Sequence, residues 1–231
     1  MPNGFPALWT RFWMHFAGLT PLGRFATRLA TWFAPPYKAR TYLVWMNEGG
    51  FISPSATLYH SGLRLGKRLF IGDRVMIFRG ENGGPVALDD FACLFGDCLL
   101  ETGDGGSIQV GRGSRIHRGC QLIAYTSQIR IGRDVGISQN CALYPYQHGV
   151  APGVPISQQP LQSNGPIVID DHAWLGVGTI VLDGVRIGKG AVIGAGSVVT
   201  HDIPDGAIAV GAPASVVKMR GDIAAPEPLA H

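Results

Sequence analysis

Charge is scarce in this chain. Only 15% of its 231 residues are Asp, Glu, Lys or Arg, and the net charge is +3. No basic stripe with interleaved aromatics runs through the middle of the sequence, which argues against nucleic acid as a partner. A pI near 8.8 permits an anionic ligand or surface without requiring one. Cysteine is sparse too: Cys93, Cys98, Cys120 and Cys141 form no CxxC pair and match no zinc spacing. No metal is therefore expected, and a reducing compartment suits such a chain. No run of about 18 apolar residues occurs, which excludes a membrane-spanning helix. The N-terminus is apolar, but Arg11, His15, Arg24 and Arg28 interrupt its aromatics, and it lacks the cleavage site of a signal peptide. A cytoplasmic location is expected.

Glycine is what the sequence has in excess. Its 33 glycines are about twice the usual share and recur along the chain instead of clustering as a linker. They accompany a repeat. Ile169, Leu175, Val181, Ile187, Ile193 and Val199 are aliphatic and six apart. Four residues after each comes a small or β-branched residue: Ala173, Thr179, Val185, Ala191, Ser197 and Ile203. The same frame returns upstream in sets of three: Ile131, Ile137 and Leu143; Val110, Ile116 and Leu122; Leu88, Leu94 and Leu100; Leu65, Ile71 and Ile77. Extra residues appear only between sets, the longest stretch following Leu143.

Three short strands of six residues closing one triangular turn explain this pattern. The aliphatic points inward onto its equivalent in the next turn, and insertions leave at one corner because elsewhere they would break a strand ladder. The expectation is an all-β solenoid of about six coils. Cys98, Cys120 and Cys141 fall at the small inward position and read as core fillers. The solenoid is expected over residues 51–219, with a loop insertion at 149–166 and a frayed Ala- and Pro-rich tail at 220–231.

Residues 1–50 form a helical extension on this reading. Trp9, Phe12, Trp13 and Phe16 lie at helical spacing, as do Leu22, Phe25, Ala26, Leu29 and Phe33. Thr20-Pro21 reads as an N-cap and first-turn proline, and Pro35-Pro36 as the end of the second helix. Two roles fit. The helices cover the open end of the first coil, or residues 1–36 lay an aromatic, basic face on an anionic membrane.

The stretch VGISQNCALYPYQHG, ending at Gly149, and the run GPIVIDDHAWLGVGTIVLDGVRIGKGAVIGAGSVVTHDIPDGAIAVGAPASVV after the insertion resemble the hexapeptide-repeat acyltransferases. These include maltose and galactoside O-acetyltransferases and the O-acetyltransferases of bacterial surface polysaccharides. The likeness is strong over residues 131–218 and looser back to about residue 50. It implies a left-handed parallel β-helix, a homotrimer, and acetyl-CoA lying in a groove between subunits against the last coils. The chain departs from the maltose type in lacking its usual N-terminal helical segment, which points away from a small free sugar.

Acetyl transfer to a hydroxyl needs a base, an oxyanion donor and a site that holds both substrates. Of seven histidines, His148 stands out: it closes a hexad and opens the long insertion. The resemblance makes it the general base, five residues after the inward Leu143, with Tyr144-Pro145-Tyr146-Gln147 between. Asn140, Tyr146 and Trp174 are candidates for contact with the acceptor, although Asn140 also reads as a turn residue and Trp174 as a packing residue. For acetyl-CoA the family positions map to Gly176, Gly178, Ala195, Thr200, His201 and Lys218. His201 stands where the family commonly has lysine, so Lys218 or Arg220 are alternatives for the nucleotide phosphates. The insertion is expected to cover an acceptor pocket. Glu101, Asp104 and Asp97 lie at corner loops, and nothing selects one as a partner for His148.

The rival readings differ in class. A zinc carbonic anhydrase on this solenoid needs HxxxxH, but residue 122 after His117 is Leu and residue 153 after His148 is Gly. N-acetylation of a nucleotide amino sugar and a non-catalytic assembly solenoid remain as alternatives. The aromatic N-terminus favours a glycan acceptor held near the inner membrane.

Overall fold

The inward hexad positions dictate a coil, and the computed structural model, which describes residues 4–222, is a parallel three-sided solenoid. Sheet A has nine strands, sheet B seven and sheet C six. The first turn runs through Gly50–Ile52 in sheet A, Thr57–Tyr59 in sheet B and Leu63–Leu65 in sheet C. Each later turn repeats that order. The seventh closes without a sheet C strand, through a parallel bridge between Ile187 and Ile203. The turns number seven, one more than the hexad sets indicate. Ile52 and Leu58 are six apart, but Leu65 follows after seven, so the period breaks at the first turn.

The ladders stack like on like. In sheet B, Ile77, Leu100, Leu122, Leu143, Val181 and Val199 face one another in register and are fully buried. Each such side chain contributes roughly 1.5–3 kcal/mol by leaving water. Cys98, Cys120 and Cys141 are buried as well, each thiol donating to a carbonyl of the following coil: His117 at 3.1 Å, Ser138 at 3.0 Å and Gly176 at 3.2 Å. The architecture is consistent with the left-handed β-helix.

Corners fall at fixed positions. Between sheets A and B the third corner residue adopts left-handed backbone in successive turns: Arg74, Asp97, Gly119, Asn140, Gly178 and Gly196. Insertions sit between sheets B and C, where Asn82, Asp104 and Thr126 also take positive φ. The longest forms a hairpin there, with Gln147–His148 antiparallel to Leu161–Gln162. Gln159 ties it together, accepting from Ala151 N at 2.8 Å and donating to Val154 O at 2.8 Å.

The N-terminal extension holds helices α1 (Phe5–His15) and α2 (Pro21–Ala30) and a 3-10 stretch, Tyr37–Trp45, that no sequence period announces. The Thr20 hydroxyl accepts from Gly23 N at 3.1 Å, as its cap position requires. The second helix ends at Ala30, before Pro35-Pro36. Thr31 and the residues after it turn with tighter spacing, Trp32 N bonding Leu29 O and Ala34 N bonding Thr31 O. Met14, Ala30, Leu43 and Val44 pack on Phe51 and Phe70, which project outward from sheet A in the first two coils, and on Phe95, the first residue of the corner after the third sheet A strand. Arg24 reaches the Ala56 carbonyl at 3.1 Å on the first turn. The extension thus covers the side of sheet A as well as touching the open end. Residues 220–222 make a 3-10 turn, while the rest of the expected tail lies outside the described residues.

Candidate active site

The B–C corner is where a side chain can leave the core without breaking a ladder, and His148 stands there. Inward Leu143 ends a strand, Tyr144 N bonds Val181 O at 3.2 Å, and the chain then departs. Ser163 Oγ donates to Pro145 O at 2.6 Å, pinning the departure to the return. His148 is exposed, on the short strand that opens the hairpin. His201 is exposed at the same corner two turns further on, and the remaining described histidines are held differently. His60 Nδ1 accepts from Gly62 N at 3.1 Å and its Nε2 meets Thr102 Oγ1 at 3.0 Å. Burial, then the Arg79 charge, pushes His60 below the usual imidazole range. His117 stacks on Phe95 at 4.7 Å, and burial lowers it similarly. His172 occupies a left-handed corner, and His15 lies at the end of α1.

Tyr146, close to His148 along the chain, belongs to a side-chain cluster drawn from three successive coils. It is two residues from His148, so the two Cα atoms lie within about 7 Å. Its ring packs on Tyr144 at 5.9 Å and on Tyr125 at 5.4 Å. The Tyr125 hydroxyl donates to Glu101 Oε1 at 2.7 Å. That bond to the carboxylate, then burial, pushes Tyr125 up to about 12. Burial also raises Tyr144 and Tyr146, with the Glu101 charge adding to both. The Tyr144 hydroxyl donates to Gln121 Oε1 at 2.6 Å. Register explains the convergence: Glu101 lies opposite Ile123, and Gln121 opposite Ala142. Combining the inward/outward alternation with the uneven insertion lengths would have singled out Glu101 among the three corner carboxylates and found Gln121.

The other expected residues divide between corners. Thr200 and His201 share the B–C corner two turns beyond His148, with Thr200 Oγ1 and His201 Nδ1 2.8 Å apart. Asn140, Gly176, Gly178 and Ala195 lie on the A–B corner, across the width of sheet B. Asn140 takes φ 58°, the conformation of Gly119 and Gly178 at the equivalent places, so the corner alone accounts for it. Gly176 is required by packing, since a Cβ there would lie 2.6 Å from Ala195 N. Gly178 has φ +71° and open space beside it. Trp174 belongs to sheet A, 49% exposed, its ring over Gly136 of the preceding turn. Lys218 is exposed on the terminal hairpin of sheet A, opposite Ile208. Arg220 donates to Gly190 O at 2.9 Å. The chain therefore brings His148, Tyr146, Thr200 and His201 to one edge and leaves the remaining candidates on others. Among the described residues no group of three or more His, Cys, Asp or Glu is arranged to hold a metal ion.

Residues 166–201 match the family described as bacterial transferase hexapeptide (six repeats). The galactoside O-acetyltransferase of Lactococcus lactis subsp. lactis is 38% identical over 118 residues, which are 51% of this chain and 56% of that protein. A 2,3,4,5-tetrahydropyridine-2,6-dicarboxylate N-acetyltransferase of Staphylococcus aureus is 43% identical over 61 residues, 26% of each chain. The chain thus spans little more than half the length of the first of these relatives and about a quarter of the second. Among solved structures, the polySia-specific acetyltransferase NeuO superposes with a TM-score of 0.57 at 20% identity, covering 75% of this chain and 87% of that one. A point mutant of AntD, an N-acyltransferase from Bacillus cereus in complex with dTDP and coenzyme A, gives 0.53 at 22% identity, covering 74% and 81%. These two likenesses establish the fold. In its last coils the chain carries bacterial transferase hexapeptide repeats, and over about half its length it resembles the hexapeptide-repeat acyltransferases.

Proposed function

We propose that the protein is an O-acetyltransferase that moves acetyl from acetyl-CoA to a sugar hydroxyl, with His148 as general base. The observation that carries this reading is an exposed imidazole on the strand that opens the longest excursion from the coil, two residues from Tyr146, whose ring packs on the tyrosine that holds the Glu101 carboxylate. His148 takes the proton of the acceptor hydroxyl as its oxygen attacks the thioester carbonyl, and returns it to the departing CoA thiolate. The family likeness supports acetyl-CoA as co-substrate, and Gly176, Gly178, Ala195, Thr200, His201 and Lys218 as its contacts.

Because those contacts lie on two corners and a terminal hairpin, the reading includes a neighbouring copy of the chain, as in a homotrimer. The outer face of sheet B supports it. Its ladder reads Thr57, Met76, Leu99, Gln121, Ala142, Ile180, Val198, whereas that of sheet C reads Arg64, Ala87, Gln109, Arg130, Val168, Arg186. The second is a face built for water and the first is largely apolar. Val150, Val154 and Ile156 on the insertion are likewise exposed.

The acceptor on this reading belongs to a bacterial surface glycan. Phe5, Leu8, Phe12 and Phe16 form an exposed stripe along α1, and Leu22, Phe25 and Trp32 are exposed nearby, with Arg11 and Arg28 among them. Such a face suits peripheral attachment to an anionic inner-membrane surface. Among the described residues no helix is long and apolar enough to cross a membrane. The Staphylococcus relative is named as an N-acetyltransferase, so transfer to an amine is the second reading, with a nucleotide amino sugar as its acceptor.

His148→Ala tests the central assignment. Turnover is expected to fall by about 10²–10⁴-fold, with acetyl-CoA affinity and oligomer size unchanged. A variant that retains turnover removes His148 as the base.

A further inference from the structure

We propose that Glu101 and the tyrosines around it form the acceptor subsite. The Glu101 carboxylate accepts a hydrogen bond from a sugar hydroxyl, and the Tyr144 and Tyr146 rings stack on the sugar's apolar face. The subsite therefore selects a neutral or amino-bearing pyranoside and disfavours one carrying a carboxylate. This inference rests on the transferase reading above and adds the chemical class of its acceptor.

The cluster is built, not incidental. Tyr125 comes from one coil, Glu101 from the coil before it, and Tyr144 and Tyr146 from the segment that carries His148. Glycine seats the Tyr125 ring on the backbone: a Cβ on Gly103 would lie 2.2 Å from Tyr125 Cε1, and one on Gly80 would lie 3.0 Å from its hydroxyl. Any side chain at residue 103 would displace the ring, and with it the bond to Glu101. The three tyrosines are neither core nor fully solvated, each being half-buried. Their mutual packing leaves ring surface at the edge of the coil, the arrangement that suits a flat apolar face with hydroxyls at its rim.

Glu101 differs from the corner aspartates that hold an arginine. Asp97 binds Arg74 and Arg118, Asp170 binds Arg186 and Asp171 binds Arg133. Among the described residues no cation forms an ion pair with Glu101. It accepts from the Tyr125 hydroxyl, and a carboxylate has about four acceptor positions. An acceptor hydroxyl or ammonium would use the positions that Tyr125 leaves. A second carboxylate would meet like charge beside apolar rings, where screening by water is weak. The cluster adjoins, at Gly80, a depression of about 520 Å³ lined by Tyr59, His60, Ser61, Arg79, Gly80 and Asn82. Gly80 is common to both, which gives a glycan longer than one sugar a place to continue.

The test measures the affinity of the full chain for neutral, amino and uronic pyranosides and their short oligomers, with acetyl-CoA affinity measured on each protein. The natural protein is expected to bind neutral or amino sugars and to bind uronic sugars more weakly. Glu101→Gln should weaken the preferred acceptor by about 10–100-fold and abolish the discrimination against uronic sugars, with acetyl-CoA affinity unchanged. Tyr146→Ala, which leaves the carboxylate in place, should weaken all pyranosides alike and keep the discrimination. Should Glu101→Gln fail to fold, that variant and the natural protein's preference still decide the matter. Uronic sugars bound as tightly as neutral ones, or unchanged affinities in Glu101→Gln, would overturn the proposal. So would a natural protein that binds no pyranoside. In these cases intact acetyl-CoA binding leaves the transferase reading standing, and its loss defeats both.

Discussion

Gln121 and Leu122 are neighbours in one strand, yet their replacement by alanine should have opposite consequences. Leu122 is fully buried, in register between Leu100 and Leu143. The backbone bonds of the ladder hold successive strands about 4.8 Å apart, so the neighbours cannot collapse into the space that Leu122→Ala leaves. The loss therefore belongs in the middle of the range for buried leucines, about 3–4 kcal/mol. For a chain of this size each kcal/mol shifts the melting temperature by roughly 2–4 °C, so Tm should fall by roughly 6–16 °C. Gln121 faces out and accepts the Tyr144 hydroxyl at 2.6 Å. Gln121→Ala should change stability by no more than about 0.5 kcal/mol while releasing Tyr144 and raising the KM for the acceptor. Thermal unfolding followed by circular dichroism, with acetyl-transfer kinetics on the same preparations, reads both effects. If Gln121→Ala melts as early as Leu122→Ala, or Leu122→Ala melts with the natural protein, the assignment of inward and outward faces is wrong.

The two candidate CoA-site glycines should also separate. Gly176→Ala forces a Cβ against the backbone of Ala195 and Gly194, and calorimetric unfolding should show a loss of about 1–3 kcal/mol. Gly178→Ala meets only the strain of positive φ, about 1–2 kcal/mol, and should fold normally. His60 and His117 have imidazoles held below their ordinary range. In acid the unfolded chain binds protons before the folded one does, so their contribution is complete above about pH 6.5 and is lost as pH falls below it. Melting temperature should drop over that interval, and the His60→Gln/His117→Gln double variant should show a shallower drop. Removal of residues 1–36 should abolish sedimentation with anionic vesicles; equal sedimentation of both chains would refute the surface role.

Much of the coil was legible because its signal is short-range and repeated. Six aliphatic residues from Ile169 to Val199 fix the frame, and His148 follows from it as the residue at which the frame is interrupted. The first turn was harder to read because the step from Leu58 to Leu65 is seven. The 3-10 stretch Tyr37–Trp45 has no apolar period, since Leu43 and Val44 are buried together by packing on sheet A. The tyrosine–carboxylate cluster was hidden for another reason. Glu101 and Tyr125 bond across 24 positions of the chain and Gln121 and Tyr144 across 23, whereas the inward frame advances by six, and the unequal corner insertions keep such separations from being constant. Asn140 illustrates the converse: an amide at a corner looks chemical in a sequence, yet the left-handed backbone there is reason enough for it.

The chain departs from its winding along a single seam, between sheets B and C. Excursions on that seam can lengthen, shorten or be exchanged while every turn still rests on the one beneath it. Whatever is recognised at that seam is thereby uncoupled from the integrity of the scaffold, so selection can rewrite it without first having to re-solve how the protein folds.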